Sequence, residues 1–250
     1  MPTPSLSYRT VRWVAKEISE TWFREHGAIE TDNIPEEGGV LFAAWHPGSL
    51  IDPLVMISTL PGQITFIAKH TLFKVPILGK VMKAAGARPI YRSIDKEHIE
   101  GDRKEGNQAV INTVSDILVD QGRCVIFPEG TFYSQRRFAA SLAEIEKTDS
   151  ERFLRVKNLR NVLPVRTGGI LALLNSTPDA DLVVIGHSGF ERFSSFRDIF
   201  HNVPFTSPIK VTLRRIAHTE IPADDKNRVR FLDEQWQGID LWNEEIIQFS

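Results

Sequence analysis

The 250-residue chain contains a single cysteine, Cys124, and this scarcity limits the chemistry open to it. One cysteine cannot form an intrachain disulfide, and it cannot supply the two or more sulfur ligands of the common structural zinc sites. A reducing compartment is therefore the simplest environment for the chain. We expect an apolar core to hold the fold together, because a chain of this length can bury enough surface without covalent staples.

The chain also lacks an excess of either charge. Its 30 Lys and Arg residues nearly balance 32 Asp and Glu residues, which leaves a formal net charge of −2. Nucleic-acid binding depends on clustered positive charge, so no nucleic-acid partner is expected. With 42% hydrophobic and 25% charged residues, the composition is that of an ordinary globular protein and argues against disorder or a fibrous repeat.

Long apolar runs are missing as well. No uncharged apolar stretch reaches about 18 residues, and the first residues lack the pattern of a signal peptide, so the sequence predicts neither a membrane span nor a secretion signal. Residues 7–27 instead predict an amphipathic helix. Its apolar positions recur every three to four residues at Val11, Val14, Ile18 and Trp22. This stripe could pack on the core, or the helix could lie on a lipid surface.

Apolar strand patterns then alternate with helical patterns along the chain. Strands are predicted at 40–44, 64–68, 87–91, 124–127 and 182–186, and helices at 53–59, 78–85, 105–121 and 168–174. Such alternation predicts a mostly parallel central sheet flanked by helices. We therefore expect a single α/β domain over 31–250, preceded by the amphipathic helix in 1–30.

Three segments outside this alternation complete the prediction. Residues 209–216 suggest a late edge strand, and 227–249 suggest a closing helix. The charged stretch 144–160 has weak apolar periodicity, so we expect it to be a surface excursion between core elements.

Polar segments follow three of the predicted strands, where open α/β sheets gather their ligand sites. The first contains His46 and Asp52, the second Arg88 and Arg92, and the third is Phe-Pro-Glu-Gly-Thr at 127–131. Each has a purely structural alternative. Asp52 could cap the helix opened by Pro53, the arginines could be surface charges, and the last segment could be a turn with an exposed carboxylate at its centre.

The histidine and aspartate also suit chemistry on a hydroxyl group. A histidine can take a proton from an alcohol as its oxygen attacks a carbonyl carbon. A carboxylate on the other ring nitrogen holds the correct tautomer and stabilises the imidazolium. His46 and Asp52 are therefore a candidate general base and its orienting partner.

The ordered series of motifs resembles the glycerolipid acyltransferases, the family of lysophosphatidic acid and glycerol-3-phosphate acyltransferases. The resemblance covers roughly 33–193. It is carried by Asn-Ile-Pro-Glu-Glu-Gly at 33–38, the His and Asp block, Ala-Lys at 68–69 with Leu-Phe at 72–73, Ala-Gly-Ala at 85–87 leading to Arg92, Phe-Pro-Glu-Gly-Thr at 127–131, and Leu-Pro-Val at 163–165.

The resemblance implies a role for each matching residue. His46 is then the general base, Asp52 its partner and Arg92 a phosphate ligand, while Glu129 and Gly130 belong to a turn that binds the acceptor. Thr131 and Ser134 are expected to line the same turn.

It also implies an O-acyltransferase of phospholipid biosynthesis. The family transfers a fatty acyl group directly from acyl-CoA or acyl-carrier protein to a glycerol-phosphate acceptor, without a metal or other cofactor. We accordingly expect peripheral or monotopic attachment to a membrane surface on its cytoplasmic side.

The sequence departs from the common family pattern at three points. Five residues separate His46 from Asp52 instead of four, which resembles a subgroup related to fungal glycerol-3-phosphate acyltransferases. Trp45 stands where an asparagine is usual, and Phe132 replaces an arginine. We hypothesise that Arg136 or Arg137 supplies the missing phosphate contact.

Two other functions remain open at this point. Gly-His-Ser-Gly at 186–189 resembles part of a nucleophile elbow with Ser188 as the nucleophile of a serine hydrolase, but Phe190 occupies the position of the final glycine. A non-catalytic lipid-binding protein of the same fold is the second alternative, because fold alone does not determine function.

Overall fold

Six strands form one mixed sheet at the centre of the molecule. The structure is a computed structural model that describes residues 3–22, 34–46, 51–90, 100–188, 201–204 and 210–248. The strands are β1 (Val40–Ala44), β2 (Ile64–Lys69), β3 (Arg88–Ile90), β4 (Arg123–Ile126), β5 (Asp181–Ser188) and β6 (Lys210–Ile216). Their order across the sheet is β3-β2-β4-β1-β5-β6, and only the β5–β6 pair is antiparallel.

Helices connect and cover these strands. They are α1 (Leu6–Trp22), α2 (Ile51–Thr59), α3 (Pro76–Ala84), α4 (Glu100–Val119), α5 (Gln135–Thr148), α6 (Ser150–Val156), α7 (Thr167–Ser176) and α8 (Asp225–Gln248). Short 3₁₀ turns lie at His70–Lys74 and His218–Glu220. Within the described ranges, no helix combines the length and the apolar character needed to cross a bilayer.

The sheet divides the apolar core into two layers. Side chains alternate along each strand, so Val40 and Phe42 belong to the layer that includes residues of α1 and α2. Leu41 and Ala43 point to the other layer, which includes residues of α4, α7 and α8. This arrangement confirms the predicted single α/β domain with a mostly parallel sheet flanked by helices.

The register of the central strands brings two chain segments together at the carboxyl ends of the parallel strands. β1 lies between β4 and β5, and Ala43 is paired with Ile126 in the parallel β1–β4 ladder. Residues that follow these two strands therefore emerge side by side, although about 80 positions separate them in the chain. His46 and Glu129 each lie three residues beyond this pair.

Helix α1 packs on the core through one face. Tyr8, Ala15 and Ser19 are buried, and the Ser19 hydroxyl donates to the Ser58 hydroxyl of α2 over 3.2 Å. The opposite face carries Leu6 and Trp13, which are 77% and 62% exposed. One face of the helix thus packs on the core, but it is not centred on the predicted stripe, of which Val14 is 42% exposed. The lipid-surface alternative concerns the opposite face.

The prediction for 144–160 was only partly correct. The part of this stretch in α5 has no buried residue, whereas α6 and the loop after it pack on the core. Val156 and Leu159 are buried in the second core layer, and Ile145 packs against it. Arg152 is buried too, although an arginine would ordinarily be assigned to the surface. The Arg152 side chain takes part in a buried ion pair.

That ion pair joins α6 to the C-terminal helix α8. The Arg152 guanidinium donates to both carboxylate oxygens of Asp233, with its Nε at 3.1 Å from each and its Nη2 at 2.9 Å from Oδ1. Both side chains are almost fully buried. Burial raises the pKa of Asp233, and the Arg152 hydrogen bond and charge partly oppose this shift.

Replacement of Asp233 by alanine should lower the free energy of unfolding by about 3–5 kcal/mol, because it leaves the Arg152 charge buried without a counterion. Urea titration followed by circular dichroism measures this loss. The adjacent Glu234 pairs with Arg230 on the exposed side of α8, so Glu234→Ala is the matched control and should cost less than about 1 kcal/mol. Equal losses in the two variants would contradict a special role for the buried pair.

Candidate active site

His46 lies just beyond the carboxyl end of β1. The Trp45 amide makes the last contact with β5, donating to the Ile185 carbonyl oxygen over 2.9 Å. On the other side, Phe127 follows β4, and its ring centroid lies 4.4 Å from that of His46 with the planes tilted by 31°. The imidazole is therefore held against an aromatic face at the end of two parallel strands.

The structure brings His46 and Asp52 together. The His46 Nδ1 lies 2.6 Å from Asp52 Oδ2, and the two side chains are 15% and 0% exposed. α2 begins at Ile51, so Asp52 lies in its first turn rather than before it. The five-residue separation is thus compatible with a close His–Asp pair, and Asp52 does more than cap a helix.

This contact determines which ring nitrogen can accept a proton. When the Asp52 carboxylate accepts the hydrogen on Nδ1, the neutral imidazole has its lone pair on Nε2. The pair therefore has the parts of a general base with an orienting carboxylate.

Glu129 lies beneath the turn that follows β4. The Gly130 amide donates to the Phe127 carbonyl oxygen over 2.9 Å, and Gly130 has φ +69°, a conformation that glycine adopts at little cost. The Glu129 side chain is only 1% exposed. Its Oε1 accepts hydrogen bonds from the Leu163 amide at 2.9 Å and the Trp236 indole at 3.1 Å.

This placement corrects one expectation. The alternative that made Glu129 an exposed carboxylate was wrong, because the structure directs the side chain inward. The expectation that Glu129 and Gly130 belong to a turn that binds the acceptor stays a prediction. The geometry supports an internal, positioning role for Glu129.

Burial raises the pKa of Glu129 to about 8. Hydrogen bonds from Trp236 and Leu163 and the nearby backbone amide of His46 lower the pKa, and the charge of Asp52 raises it further. At neutral pH the group therefore holds its proton for much of the time. The protonation of Glu129 is therefore coupled to the His46–Asp52 pair through the His46 amide and the Asp52 charge.

The other predicted site residues have different positions. Thr131 is half-buried in the turn, and the Ser134 hydroxyl caps α5 by accepting from the Arg137 amide over 3.3 Å. The Arg137 guanidinium donates to the Phe132 carbonyl oxygen over 3.2 Å and lies 4.0 Å from the centroid of the Phe132 ring. Arg136 is exposed in the first turn of α5.

Of the two arginines in the second polar segment, the structure describes only Arg88. Arg88 begins β3 and is exposed. Arg92, the phosphate ligand implied by the resemblance, lies outside the described residues. Its role stays a prediction.

Ser188 has a position that does not favour the serine hydrolase alternative. It is the last residue of β5, is 5% exposed, and pairs with Lys210 across the antiparallel ladder. A nucleophilic serine needs an exposed hydroxyl on a sharp turn.

Sequence reasoning missed the partners of Glu129. Trp236 lies in the closing helix predicted at 227–249, and nothing in a local pattern links it to a glutamate 107 positions earlier. His187 was missed too; it is buried at the end of β5, with its ring centroid 5.8 Å from that of Trp45. Across the described residues, no group of three or more His, Cys, Asp or Glu side chains could hold a metal ion.

A parallel α/β sheet with a His–Asp pair beyond its strand ends suits an enzyme that activates a hydroxyl group. A family model described as Acyltransferase matches residues 28–185, which is more than half of the chain. The chain therefore belongs to this acyltransferase family.

Individual relatives agree with this assignment. The chain is 28% identical over 120 residues to a 1-acyl-sn-glycerol-3-phosphate acyltransferase of Bacillus subtilis (strain 168), a match that covers 46% of this chain and 55% of the relative. It thus spans only about half the length of that curated relative.

A solved structure extends the similarity in fold. The 1-acyl-sn-glycerophosphate (LPA) acyltransferase PlsC of Thermotoga maritima superposes with a TM-score of 0.59 at 14% identity, covering 96% of this chain and 79% of that one. Together with the family match, these relatives confirm the resemblance to glycerolipid acyltransferases, and the fungal subgroup suggested by the His–Asp spacing stays a prediction.

Glu129 should make stability depend on pH in a characteristic direction. Its ordinary pKa is 4.5 and its folded pKa is about 8, so between these values the folded state binds more protons than the unfolded chain. The free energy of unfolding should therefore decrease as pH rises through this window. Glu129→Gln removes the ionisation and should lessen that decrease by roughly 3–4 kcal/mol between pH 5 and pH 8.

Urea unfolding of the wild type and the variant at several pH values measures the difference in slope. Glu144→Gln is the control, because Glu144 is exposed on α5 and should leave the slope unchanged. Parallel curves for the wild type and Glu129→Gln would show that the carboxyl group titrates near its ordinary pKa.

Proposed function

We propose that the protein is an O-acyltransferase that moves a fatty acyl group from acyl-CoA or acyl-carrier protein to the hydroxyl of glycerol 3-phosphate or 1-acylglycerol 3-phosphate. The observation that carries this proposal is the 2.6 Å contact between His46 Nδ1 and Asp52 Oδ2 beyond the end of β1. The family match and the Bacillus subtilis relative support the reaction class. They also support an acceptor of the glycerol-phosphate type.

In this reaction His46 takes the proton of the acceptor hydroxyl through Nε2 as the oxygen attacks the thioester carbonyl carbon. Asp52 accepts from Nδ1 and stabilises the imidazolium that forms. Collapse of the tetrahedral intermediate breaks the carbon–sulfur bond, and the departing thiolate takes the proton from the imidazolium. The acyl group passes directly to the acceptor, so the scheme requires neither a covalent acyl-enzyme nor a metal.

The acceptor phosphate is expected to bind basic side chains. Arg92 is one ligand predicted from the sequence, and Arg136 and Arg137, which follow the turn at 127–131, are the others. A guanidinium can bind phosphate through two parallel hydrogen bonds. Glu129 supports this turn from within through its bonds to Leu163 and Trp236.

The substrates of such a reaction are amphiphiles, and two exposed apolar surfaces suit a membrane partner. One is the face of α1 with Leu6 and Trp13. The other is on α3, where Ile77 and Val81 are 80% and 45% exposed, four residues apart and hence on one helical face.

These two surfaces belong to the same side of the sheet. α1 contacts α3, and both helices carry exposed basic residues beside the apolar ones, namely Arg9, Lys16, Lys80 and Lys83. Apolar side chains flanked by lysine and arginine are typical of helices that lie in the headgroup region of an anionic membrane. We propose peripheral attachment through α1 and α3, on the cytoplasmic side.

The reaction is tested by incubating the protein with acyl-CoA and either glycerol 3-phosphate or its 1-acyl derivative while free thiol is followed. We expect thiol release that depends on the acceptor. His46→Ala should reduce the rate about a hundredfold or more, because general-base catalysis is lost. Asp52→Asn should also reduce the rate, since the orienting carboxylate is removed.

His218→Ala is the matched control. His218 also contacts an aspartate through Nδ1, at 3.1 Å from Asp181 Oδ1. Asp181, however, is the first residue of β5 and pairs with Val40 at the amino end of β1, away from His46. This variant should keep wild-type turnover. Thiol release without acceptor would instead indicate a hydrolase, absence of release would indicate a lipid-binding protein, and near-normal turnover by His46→Ala would rule out His46 as the base.

Membrane attachment is tested by sedimentation with liposomes that contain anionic lipid. Replacing Trp13 and Ile77 by serine should weaken binding about tenfold or more, because two large apolar side chains no longer enter the lipid. Circular dichroism checks that the double variant keeps its fold.

Leu154→Ser with Leu241→Ser is the control pair. These leucines are 61% and 60% exposed on α6 and α8, which lie on the other side of the sheet. Unchanged binding by the control together with weakened binding by the first pair supports the proposed surface. Equal binding by both double variants would place the attachment elsewhere.

A further inference from the structure

Arg166 lies across the turn that follows β4. It is the residue before α7, and its backbone amide donates to the Pro128 carbonyl oxygen over 2.7 Å. A Cβ atom at Gly130 would come within 3.0 Å of Arg166 Cδ and 3.4 Å of its Nε. The absence of a side chain at Gly130 therefore makes room for the arginine stem to lie over the turn.

The Arg166 guanidinium is available to a ligand. The side chain is exposed, and among the described residues none forms a hydrogen bond or an ion pair with its guanidinium. Arg137, by contrast, is engaged with the Phe132 carbonyl oxygen and ring. An arginine with its five donors uncommitted can bind an oxyanion through two of them.

The charge around this turn favours an anion. Between 127 and 137 the only acidic residue is Glu129, which is buried and directed away from the surface. Arg136 and Arg137 lie at the start of α5 in the same segment. The exposed side of the turn is therefore positive.

The turn is also close to the proposed base. Gly130 is bonded to Phe127, whose ring contacts the His46 imidazole at 4.4 Å between centroids. A phosphate held by Arg166 over Gly130 would thus lie on the same turn whose first residue, Phe127, contacts the proposed base.

We propose that Arg166 binds the phosphate of the acceptor and makes the protein selective for phosphorylated acceptors. This inference rests on the proposed function and adds a residue to it. Arg166 comes 35 to 39 positions after the residues of the turn at 127–131, and it adds a phosphate ligand to Arg136 and Arg137, which stay predictions.

The test compares Arg166→Gln with the wild type on matched acceptors, 1-acylglycerol 3-phosphate and the uncharged monoacylglycerol. For the phosphorylated acceptor, kcat/KM should fall about tenfold or more, chiefly through KM, because a charge-assisted hydrogen bond is lost. For monoacylglycerol it should stay within twofold. Arg166→Lys should recover part of the lost activity, since it restores the charge without the guanidinium fork.

Arg214→Gln is the control, because Arg214 is exposed on β6, away from the turn, and should change neither acceptor's kinetics. If Arg166→Gln loses activity equally on both acceptors, or on neither, the assignment of Arg166 is overturned. The proposed function still stands in that case, provided that the wild-type protein turns over the phosphorylated acceptor. A wild-type protein that turns over neither acceptor would overturn the proposed function itself, and with it this role of Arg166.

Discussion

The Glu129 carboxyl group joins three distant parts of the chain around the proposed base. It follows β4, accepts hydrogen bonds from the Leu163 amide and the Trp236 indole, and lies near the backbone amide of His46. Burying an ionisable group is costly unless hydrogen bonds compensate it. The raised pKa of Glu129 shows that the compensation is incomplete. The arrangement of the site therefore depends on a group that opposes stability at alkaline pH.

Helix α8 supplies more than one contact of this kind. Asp233, Trp236 and Asp240 follow one another at spacings of three and four residues and are all buried on one face of the helix. Asp233 pairs with Arg152, Trp236 donates to Glu129, and Asp240 accepts from the Arg160 and Asn161 amides at 3.1 and 2.6 Å. The closing helix thus holds the segment from α6 to α7, from which Arg166 reaches the turn.

The His46–Asp52 pair shows why spacing along the chain is a weak guide to geometry. An extra residue separates the two relative to the common family pattern, yet their side chains are in hydrogen-bond contact. The start of α2 at Ile51 places Asp52 in the first helical turn, and its side chain returns toward the end of β1. Contact between the two depends on where the strand ends and the helix begins, and not on the count of residues alone.

Much of the architecture could be predicted from local patterns. The apolar run at 40–44 became β1 without change, the alternation of periodicities implied a parallel sheet, and the motif order indicated the acyltransferase family. These features are visible because strands and helices impose periods of two and 3.6 residues on the sequence. Because the strand at 40–44 could be predicted, the sequence also showed that His46 and Asp52 follow its end.

Only the tertiary structure decided how these elements use their polar residues. It turned Glu129 inward, buried Arg152 in a segment expected at the surface, and laid the stem of Arg166 over Gly130. These contacts join residues 34 to 107 positions apart, and a pairing at such separation leaves no periodic trace in either segment. The sequence alone determined which groups were present and on which elements, whereas packing of the sheet and its helices determined which of them meet.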